Sequence, residues 1–417
     1  MSIVRKWLTP ALGAVLILLQ GCGGGGGGGA STPAPAAPST NTTVAAGSNV
    51  QPISVDSGRP LLNFRSVNLA FTSVTLCLPN SANCQTIDHI VVDTGSIGLR
   101  IVSSALSASL SLPQQTDAKG DPVVECAQFA DGYAWGPVKL ADLKIAGEQA
   151  SRLPIQVIGD PSCAAVPGAC SRTGPSKNAV QELRANGILG LGVFRQDCGN
   201  ACAQSSRYGI YYTCPAAGCQ AAVIPVDLQL QHPVSMFAVN NNGVIIELPS
   251  VPAAGAASVS GSLVFGIGTQ ANNGLGAATV ISVNPGTGNF STVYNGNTYA
   301  GSFIDSGSNG LFFQDSMTVC ASTSAAPGFY CPASTKNVSA TIQGANGATA
   351  LVDFSVANAD TLVTSNPDFA AFANLAAPQF VATSFDWGLP FFYGRNVYTA
   401  IEGAGTPGGP TGPYVAF

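Results

Sequence analysis

From about residue 48 onward, apolar and polar residues alternate in short runs that are rich in β-branched and aromatic side chains. Gly, Pro, Asn and Ser separate these runs, a pattern typical of β-strands joined by turns. Residues 291–300 place Asn295-Gly296 between two alternating runs, which predicts a β-hairpin. Stretches with helical periodicity are few, and residues 178–185 are the clearest. The pattern predicts a mostly β fold.

The first 22 residues have a different pattern, which is typical of an export signal. Arg5 and Lys6 precede an apolar run over residues 7–19, and the segment ends Leu-Gln-Gly-Cys at Cys22. This ending resembles the bacterial lipobox, in which residues 1–21 are removed and the cysteine receives a lipid such as palmitate. The apolar run is shorter than the roughly 20 residues of a membrane-spanning helix. We expect a lipoprotein anchored in the bacterial cell envelope, with a transmembrane anchor or ordinary secretion as alternatives.

Residues 22–47 form a separate segment that is rich in Gly, Pro, Ser and Thr and contains the unbroken glycine run 23–29. Such a segment buries no apolar surface and behaves as a flexible tether. The tether would therefore hold the folded part of the chain away from the membrane. The residues after the tether are numerous enough for two packed units, because a typical domain has roughly 100–200 residues.

Composition narrows the possible partners. The chain has 417 residues, of which 46% are hydrophobic and 9% charged, so it is too apolar to be intrinsically disordered. The formal net charge is −5 and Lys and Arg form no cluster, which argues against a nucleic-acid partner. His89 and His232 are the only histidines and leave little material for a zinc site or a Ser-His-Asp triad. No metal or organic cofactor is expected.

Eleven cysteines follow Cys22, and export should oxidise most of them to disulfides. The closest isolated pairs are the predicted disulfides, Cys77 with Cys84 and Cys320 with Cys331. Four cysteines within residues 198–219 have a spacing that could suggest a metal site, but the lack of a nearby histidine favours disulfides. The connectivity stays open for seven cysteines: Cys126, Cys163, Cys170, Cys198, Cys202, Cys214 and Cys219. Because eleven is odd, one thiol should be free or bonded to a partner.

An internal repeat organises the chain. Residues 91–99 read VVDTGSIGL and residues 303–311 read FIDSGSNGL, so both copies run apolar, apolar, Asp, Thr or Ser, Gly, Ser, any residue, Gly, Leu. Two copies of one supersecondary unit, separated by about half the chain, predict two similar lobes that face each other. We place the first lobe at residues 48–252 and the second at residues 253–417.

Each copy predicts a buried strand that runs into a sharp turn with an aspartate at its tip. Two such carboxyls brought together cannot both ionise, so Asp93 and Asp305 would share one proton and act as general base and general acid. One Asp-Thr-Gly-Ser turn alone would indicate only a hydrogen-bonded turn, and the duplication is what favours catalysis. Six neighbours would support the pair through hydroxyl hydrogen bonds and close backbone approach: Thr94, Gly95, Ser96, Ser306, Gly307 and Ser308.

The repeat resembles the catalytic turns of the pepsin-like aspartic protease family, and further segments are similar in the same order. These segments are residues 186–192, 261–266, 387–392, 397–401 and 414–417. The resemblance implies a bilobal pepsin-like fold with a cleft between two β lobes. It also implies an extracytoplasmic endopeptidase that activates a water with two aspartates, acts on a peptide or protein substrate without a cofactor, and works as a monomer. The chain would be a divergent bacterial member held to the membrane by its N-terminal lipid.

Some residues differ from the family pattern. The family's flap hairpin carries a tyrosine before Gly-x-Gly, whereas the similar segment here, residues 129–136, has Phe129 in that place. Phe129 and Tyr133 are therefore the candidate substrate-binding residues, and packing within the hairpin is the alternative. Residues 388–390 read Gly-Leu-Pro where the family has Gly-Asp. The alternative function is a non-catalytic pepsin-like surface lipoprotein that binds a peptide, an enzyme or a glycan in the cleft, or an envelope scaffold.

Overall fold

The computed structural model describes residues 47–58 and 65–417, which form twenty-two strands, four short α-helices and six 3-10 helices. The predicted mostly β fold is confirmed. The first eleven strands are β1 Val50–Val55, β2 Ala70–Cys77, β3 Cys84–Asp93, β4 Ile97–Val102, β5 Val123–Phe129, β6 Gly132–Ile145, β7 Glu148–Ile158, β8 Gly187–Leu191, β9 Tyr211–Thr213, β10 Gln220–Ala221 and β11 Gly243–Leu248.

The second set of eleven strands covers the rest of the chain. These strands are β12 Val259–Phe265, β13 Val280–Ser282, β14 Phe290–Tyr294, β15 Asn297–Ile304, β16 Leu311–Phe312, β17 Lys336–Gln343, β18 Thr349–Val356, β19 Ala376–Ala377, β20 Asp386–Trp387, β21 Arg395–Ala400 and β22 Tyr414–Ala416. The α-helices are α1 Gly168–Ser171, α2 Val180–Leu183, α3 Asn200–Gln204 and α4 Ala359–Ser365. The 3-10 helices are Ser103–Ala105, Pro161–Cys163, Ser206–Tyr208, Val226–Leu228, Pro233–Met236 and Leu389–Phe392.

Local sequence signals predicted one hairpin correctly, but they did not predict the helices correctly. The hairpin predicted at Asn295-Gly296 is confirmed, since β14 and β15 pair in antiparallel fashion up to Tyr294 and Asn297 and both turn residues have positive φ. The helix predicted over residues 178–185 is wrong in length, because α2 spans one turn and ends where Arg184 adopts a left-handed conformation. The longer helix α4 was not predicted. It begins at Asn358, whose side chain accepts a hydrogen bond from the backbone of Thr361.

Two sheets account for all the strands of the described residues. The larger has fifteen strands in the order β10-β9-β5-β6-β7-β4-β8-β3-β2-β1-β12-β11-β21-β22-β13, and the smaller has seven in the order β18-β17-β14-β15-β20-β16-β19. The predicted boundary at residues 252 and 253 lies between β11 and β12, which are paired neighbours in the larger sheet. The sheet is therefore continuous across that boundary.

The sequence repeat corresponds to a repeated three-strand unit. In the first copy β8 lies between β3 and β4, parallel to β3 and antiparallel to β4. In the second copy β20 lies between β15 and β16, again parallel to the first strand and antiparallel to the other. The turn that links the outer two strands carries Asp93 in one copy and Asp305 in the other. Both copies thus present an aspartate at the carboxyl end of a strand that is flanked by a parallel neighbour.

Aromatic packing supports the second copy. The rings of Phe313 and Phe385 stack with centroids 4.7 Å apart, and Phe385 stacks on Trp387 at 4.3 Å. All three side chains are completely buried, and the Trp387 indole donates to the hydroxyl of Thr292 at 3.0 Å. A buried Trp needs such an acceptor for its N–H. This cluster fixes β20 beneath the turn of Asp305.

Five disulfides fasten the chain, and both predicted pairs are among them. They are Cys77–Cys84, Cys126–Cys170, Cys198–Cys202, Cys214–Cys219 and Cys320–Cys331. Cys163 is the free cysteine of the described residues, as the odd count requires. Within the same residues, no helix is long and apolar enough to cross a membrane.

Candidate active site

The first turn holds its aspartate with two hydrogen bonds. Asp93 is the last residue of β3 and is 8% exposed. The backbone N–H of Gly95 donates to Asp93 Oδ1 at 2.8 Å, and the hydroxyl of Ser96 donates to Oδ2 at 2.5 Å. Both carboxylate oxygens therefore have a donor from within the turn, which fixes the plane of the carboxyl group.

The second turn repeats this pattern at the end of β15. The backbone N–H of Gly307 donates to Asp305 Oδ1 at 2.7 Å. The hydroxyl of Ser308 lies 3.0 Å from Asp305 Oδ2 and takes the place that Ser96 has in the first turn. The sequence repeat thus becomes a repeat of hydrogen bonds.

The remaining hydroxyls, those of Thr94 and Ser306, connect the two turns to each other. The backbone N–H of Thr94 donates to the Ser306 hydroxyl at 3.0 Å, and the backbone N–H of Ser306 donates to the Thr94 hydroxyl at 3.0 Å. Ser306 in turn donates to the carbonyl of Val92 at 2.7 Å, and Thr94 to that of Ile304 at 3.3 Å. These reciprocal bonds span 210 or more residues of sequence and hold the two aspartates in register.

The glycines let the turns approach closely. A Cβ on Gly95 would lie 2.5 Å from the carboxyl carbon of Asp305, and a Cβ on Gly307 would lie 2.7 Å from Asp93 Oδ1. Each glycine therefore packs directly against the aspartate of the other turn. No larger residue fits at either position without moving a carboxyl group.

The two carboxyls form one coupled group. Burial raises the pKa of Asp305 well above its ordinary value, and the neighbouring carboxyls of Asp93 and Asp386 raise it further. The Asp93 carboxyl is close enough to act on Asp305, and the surroundings of Asp305 favour its protonated form. A pair in which one carboxyl is protonated and the other ionised can take and give a proton at the same time.

A third carboxyl, which the sequence reasoning missed, lies in the same cluster. Asp386 begins β20 and is 5% exposed, and its Oδ2 lies 2.7 Å from the Ser308 hydroxyl. Burial raises its pKa to about 8. The available signal was an acidic residue directly before the buried segment 387–392. The family resemblance covers residues 387–392 and does not include Asp386.

The candidate substrate-binding residues, Phe129 and Tyr133, belong to the hairpin of β5 and β6. Tyr133 is 7% exposed and joins an aromatic and sulfur cluster that includes Trp135 and Tyr212. Phe129 is half-buried and packs against a second apolar cluster, around Val180. Packing within the hairpin explains the buried position of Tyr133. A substrate-binding role for Phe129 and Tyr133 stays a prediction.

A recess that is partly open to solvent lies beside the first turn. Thr94 and Gly95 line it on one side, with the rings of Phe194 and Phe290 and the side chain of Ile304 among its other walls. Its lining combines large apolar groups with few polar ones, which suits an apolar side chain of a ligand.

A family comparison agrees with the extent of the folded region. A family model described as a protein of unknown function, DUF3443, matches residues 45–417. The chain belongs to the DUF3443 family. No curated protein matches it. The predicted signal peptide, the predicted lipidation site Cys22 and all of the predicted tether except its last residue lie outside the described residues.

This DUF3443 protein also has a second buried charged cluster, which is structural. Arg100 contacts Glu125 at 2.5 Å and Asp197 at 3.5 Å, and Tyr211 donates to Asp197 at 2.7 Å. Burial raises the pKa of Asp197 well above its ordinary value, with a further contribution from Glu125. The four side chains are at most 4% exposed, and their contacts join β4 to β5.

Three sulfurs lie together elsewhere in the first half of the chain. Those of Cys163, Cys214 and Cys219 are within 4.8 Å of one another. Two of the three form the disulfide Cys214–Cys219, so only Cys163 offers a thiol. The metal site considered for residues 198–219 would need this disulfide to be reduced, because metals bind thiolates.

Proposed function

We propose that this protein is an aspartic endopeptidase that hydrolyses peptide bonds with a water activated by Asp93 and Asp305. The observation that carries the proposal is the reciprocal contact of the two turns. Each turn hydrogen-bonds its own aspartate, bonds the backbone of the other turn, and places its glycine against the other aspartate. Two carboxyls in this arrangement would share one proton, which meets the chemical requirement for simultaneous general base and general acid catalysis.

In the proposed mechanism a water held between the carboxyls attacks the peptide carbonyl carbon. The Asp93 carboxylate takes a proton from the water as the new C–O bond forms, while Asp305 gives its proton to the carbonyl oxygen. The tetrahedral intermediate then collapses, the C–N bond breaks, and the proton held by Asp93 passes to the leaving nitrogen. Asp305 recovers its proton from the hydroxyl of the intermediate. The pair ends with one proton, as it began.

We further propose that the two halves form pepsin-like lobes. Two copies of the three-strand unit, related by the same strand order and directions, support this arrangement. The ordered sequence similarities outside the repeat support it as well. The recess beside Thr94 and Gly95 would then accept an apolar side chain of the substrate.

Removing either carboxyl tests the mechanism. In the full-length, oxidised protein, Asp93→Asn and Asp305→Asn should each abolish cleavage of an unfolded protein substrate and of a diverse peptide library. Asn is nearly isosteric but cannot share the proton. The matched control is Asp353→Asn, which removes an exposed carboxyl on β18. Mass spectrometry of the products between about pH 2 and 9 measures cleavage.

The contact between the turns gives a second, geometric test. Gly95→Ala should reduce kcat/KM by about a hundredfold or more, because its methyl group displaces the Asp305 carboxyl. Gly274→Ala is the matched control, since nothing lies within 4 Å of a Cβ there. Wild-type protein that cleaves nothing would favour the non-catalytic binding function. Cleavage that survives both Asn substitutions would mean that the active site lies elsewhere.

A further inference from the structure

Asp386 occupies a position that distinguishes the two copies of the repeat. In the second copy Asp386 lies opposite Phe303, two residues before Asp305. In the first copy the matching residue opposite Val91, two residues before Asp93, is Ile188. An apolar side chain therefore satisfies this position in one copy, and the fold does not require an acid there.

The Ser308 hydroxyl joins Asp386 to Asp305. Its oxygen lies 2.7 Å from Asp386 Oδ2 and 3.0 Å from Asp305 Oδ2. A hydroxyl has a single proton, so it donates to one carboxyl and must accept from the other. One of the two carboxyls is therefore protonated whenever both contacts are hydrogen bonds. If Asp386 is protonated, it donates to the Ser308 hydroxyl, which donates to Asp305. If Asp386 is ionised, a protonated Asp305 donates to the Ser308 hydroxyl, which donates to Asp386.

The surroundings offer no positive charge to this group. Across residues 47–58 and 65–417, no Lys, Arg or His forms an ion pair with Asp93, Asp305 or Asp386. The neighbours of Asp386 across the strands are Phe303 and Phe312, and its Oδ1 is buried without a hydrogen-bond partner. The charged groups that act on Asp305 and Asp386 are carboxyls, so each negative charge added to the cluster makes the next proton harder to remove.

We propose that Asp386 is a positioning residue of the site and is coupled to Asp305 through Ser308. Asp386 extends to higher pH the range in which the pair of Asp93 and Asp305 keeps its shared proton. This inference rests on the proposed function. When Asp386 is ionised, the Ser308 hydroxyl donates to it and accepts from the protonated Asp305, so the negative charge on Asp386 opposes the loss of the proton that Asp305 holds. The charge then resides on Asp386, and the catalytic pair still holds one proton.

The alkaline limit of activity measures this effect. Asp386→Asn is neutral at every pH, so the limit in the kcat/KM profile should move to lower pH by about one unit, the size expected from losing a charge a few ångström away. Asp386→Ile, which introduces the residue of the first copy, should move the limit in the same direction. Asp353→Asn should leave it in place. An Asn variant with the wild-type limit would overturn the proposal, because the charge would then have no role.

Carboxyl titration tests the coupling without any need for activity. In wild-type protein labelled with carbon-13 at the aspartate carboxyls, the Asp386 signal should titrate near pH 8, and the Asp305 signal should show an inflection at the same pH. The signals are assigned by their loss in Asp386→Asn and Asp305→Asn. Titration of Asp386 near its ordinary value, or an Asp305 signal that does not respond to it, overturns the proposal. Coupled titration in a protein that cleaves nothing would instead refute the proposed function and leave the coupling established.

Discussion

At the scale of single residues, burial holds several ionisable side chains in their neutral form. His232 has no exposed surface, and burial lowers its pKa to about 4. Asp386 is its acidic counterpart, since burial raises the pKa of that carboxyl to about 8. Both groups are uncharged between about pH 4 and 8, the range bounded by these two pKa values.

His232 should make the protein less stable in acid. Its pKa is lower in the folded than in the unfolded chain, so its contribution to stability is fully present above about pH 6.5 and is lost as the pH falls towards about 4. The loss is about 3 kcal/mol over this interval, at about 1.4 kcal/mol per pKa unit. In the wild type this loss is opposed by Asp386, whose raised pKa adds stability as the pH falls through the same interval. The His232 contribution is therefore measured by comparing the wild type with a His232 variant in urea unfolding at pH 7 and pH 4.5.

His232→Leu should remove this contribution, so that the variant loses less stability, or gains more, than the wild type between pH 7 and pH 4.5, because it has no group to protonate at that position. Packing changes affect the free energy of unfolding at both pH values, so the difference between the two pH values is the quantity to compare. Val234→Ala, which changes buried packing two residues from His232 without removing an ionisable group, is the control and should retain the wild-type dependence. If His232→Leu kept the same dependence, another buried group would have to account for the acid sensitivity.

At the scale of elements, the hairpin of β5 and β6 is fastened to the segment that follows β7. The disulfide Cys126–Cys170 links β5 to α1, and both of its cysteines are fully buried. Tyr133 and Pro175 are joined by a backbone hydrogen bond of 2.9 Å. At the tip, Lys177 forms an ion pair with Asp131 at 2.7 Å. The hairpin is thus held by covalent, backbone and ionic links within a few residues.

Removal of the long disulfide should cost more stability than removal of a short one. Replacing Cys126 and Cys170 by Ala frees a loop with a sequence separation of 44, whereas the same change at Cys214 and Cys219 frees one with a separation of 5. The chain-entropy model predicts a difference of about 2 kcal/mol between the two variants. Urea unfolding under oxidising conditions measures it. Equal losses in both variants would contradict a loop-entropy origin.

At the scale of the whole molecule, contacts between distant parts of the chain assemble the site. Asn68 is fully buried, accepts from the backbone N–H of Phe372 at 2.8 Å and donates to its carbonyl at 2.8 Å. The hydroxyl of Tyr393 donates to the same side chain at 2.9 Å. One residue near the start of the fold thereby fixes two segments near its end. With the bonds between Thr94 and Ser306, such contacts hold the two halves in one arrangement.

We propose that the whole molecule is tethered to a membrane of the bacterial cell envelope by a lipid on Cys22. The variant Cys22→Ser should appear in the soluble fraction or keep its signal peptide, because the lipid would be its only anchor. Cys163→Ser is the matched control, since it removes the other unpaired cysteine and should stay with the membranes. Membrane fractionation with a high-salt wash makes the comparison. Quantitative membrane association of a correctly cleaved Cys22→Ser protein would refute the lipid anchor.

The sequence by itself determined the features that depend on neighbours along the chain. Turn chemistry at Asn295-Gly296 was sufficient for the hairpin, because those residues adopt positive φ readily. The paired aspartates were visible because both copies of the repeat carry the same residues in the same order. Short separations identified Cys77–Cys84 and Cys320–Cys331. In each case a few adjacent residues contain the whole signal.

Only the tertiary structure decided which distant residues meet. Cys126–Cys170 could not be chosen from several possible pairings, because strand pairing determines which thiols approach. The sequence could not link Asp386 to the site either, since its partner Ser308 is 78 residues away and the strand order of β15, β20 and β16 brings them together. The raised pKa values of Asp305 and Asp386 are likewise a property of the assembled site. A pKa depends on burial and on neighbouring charges, and both arise only when the chain has folded.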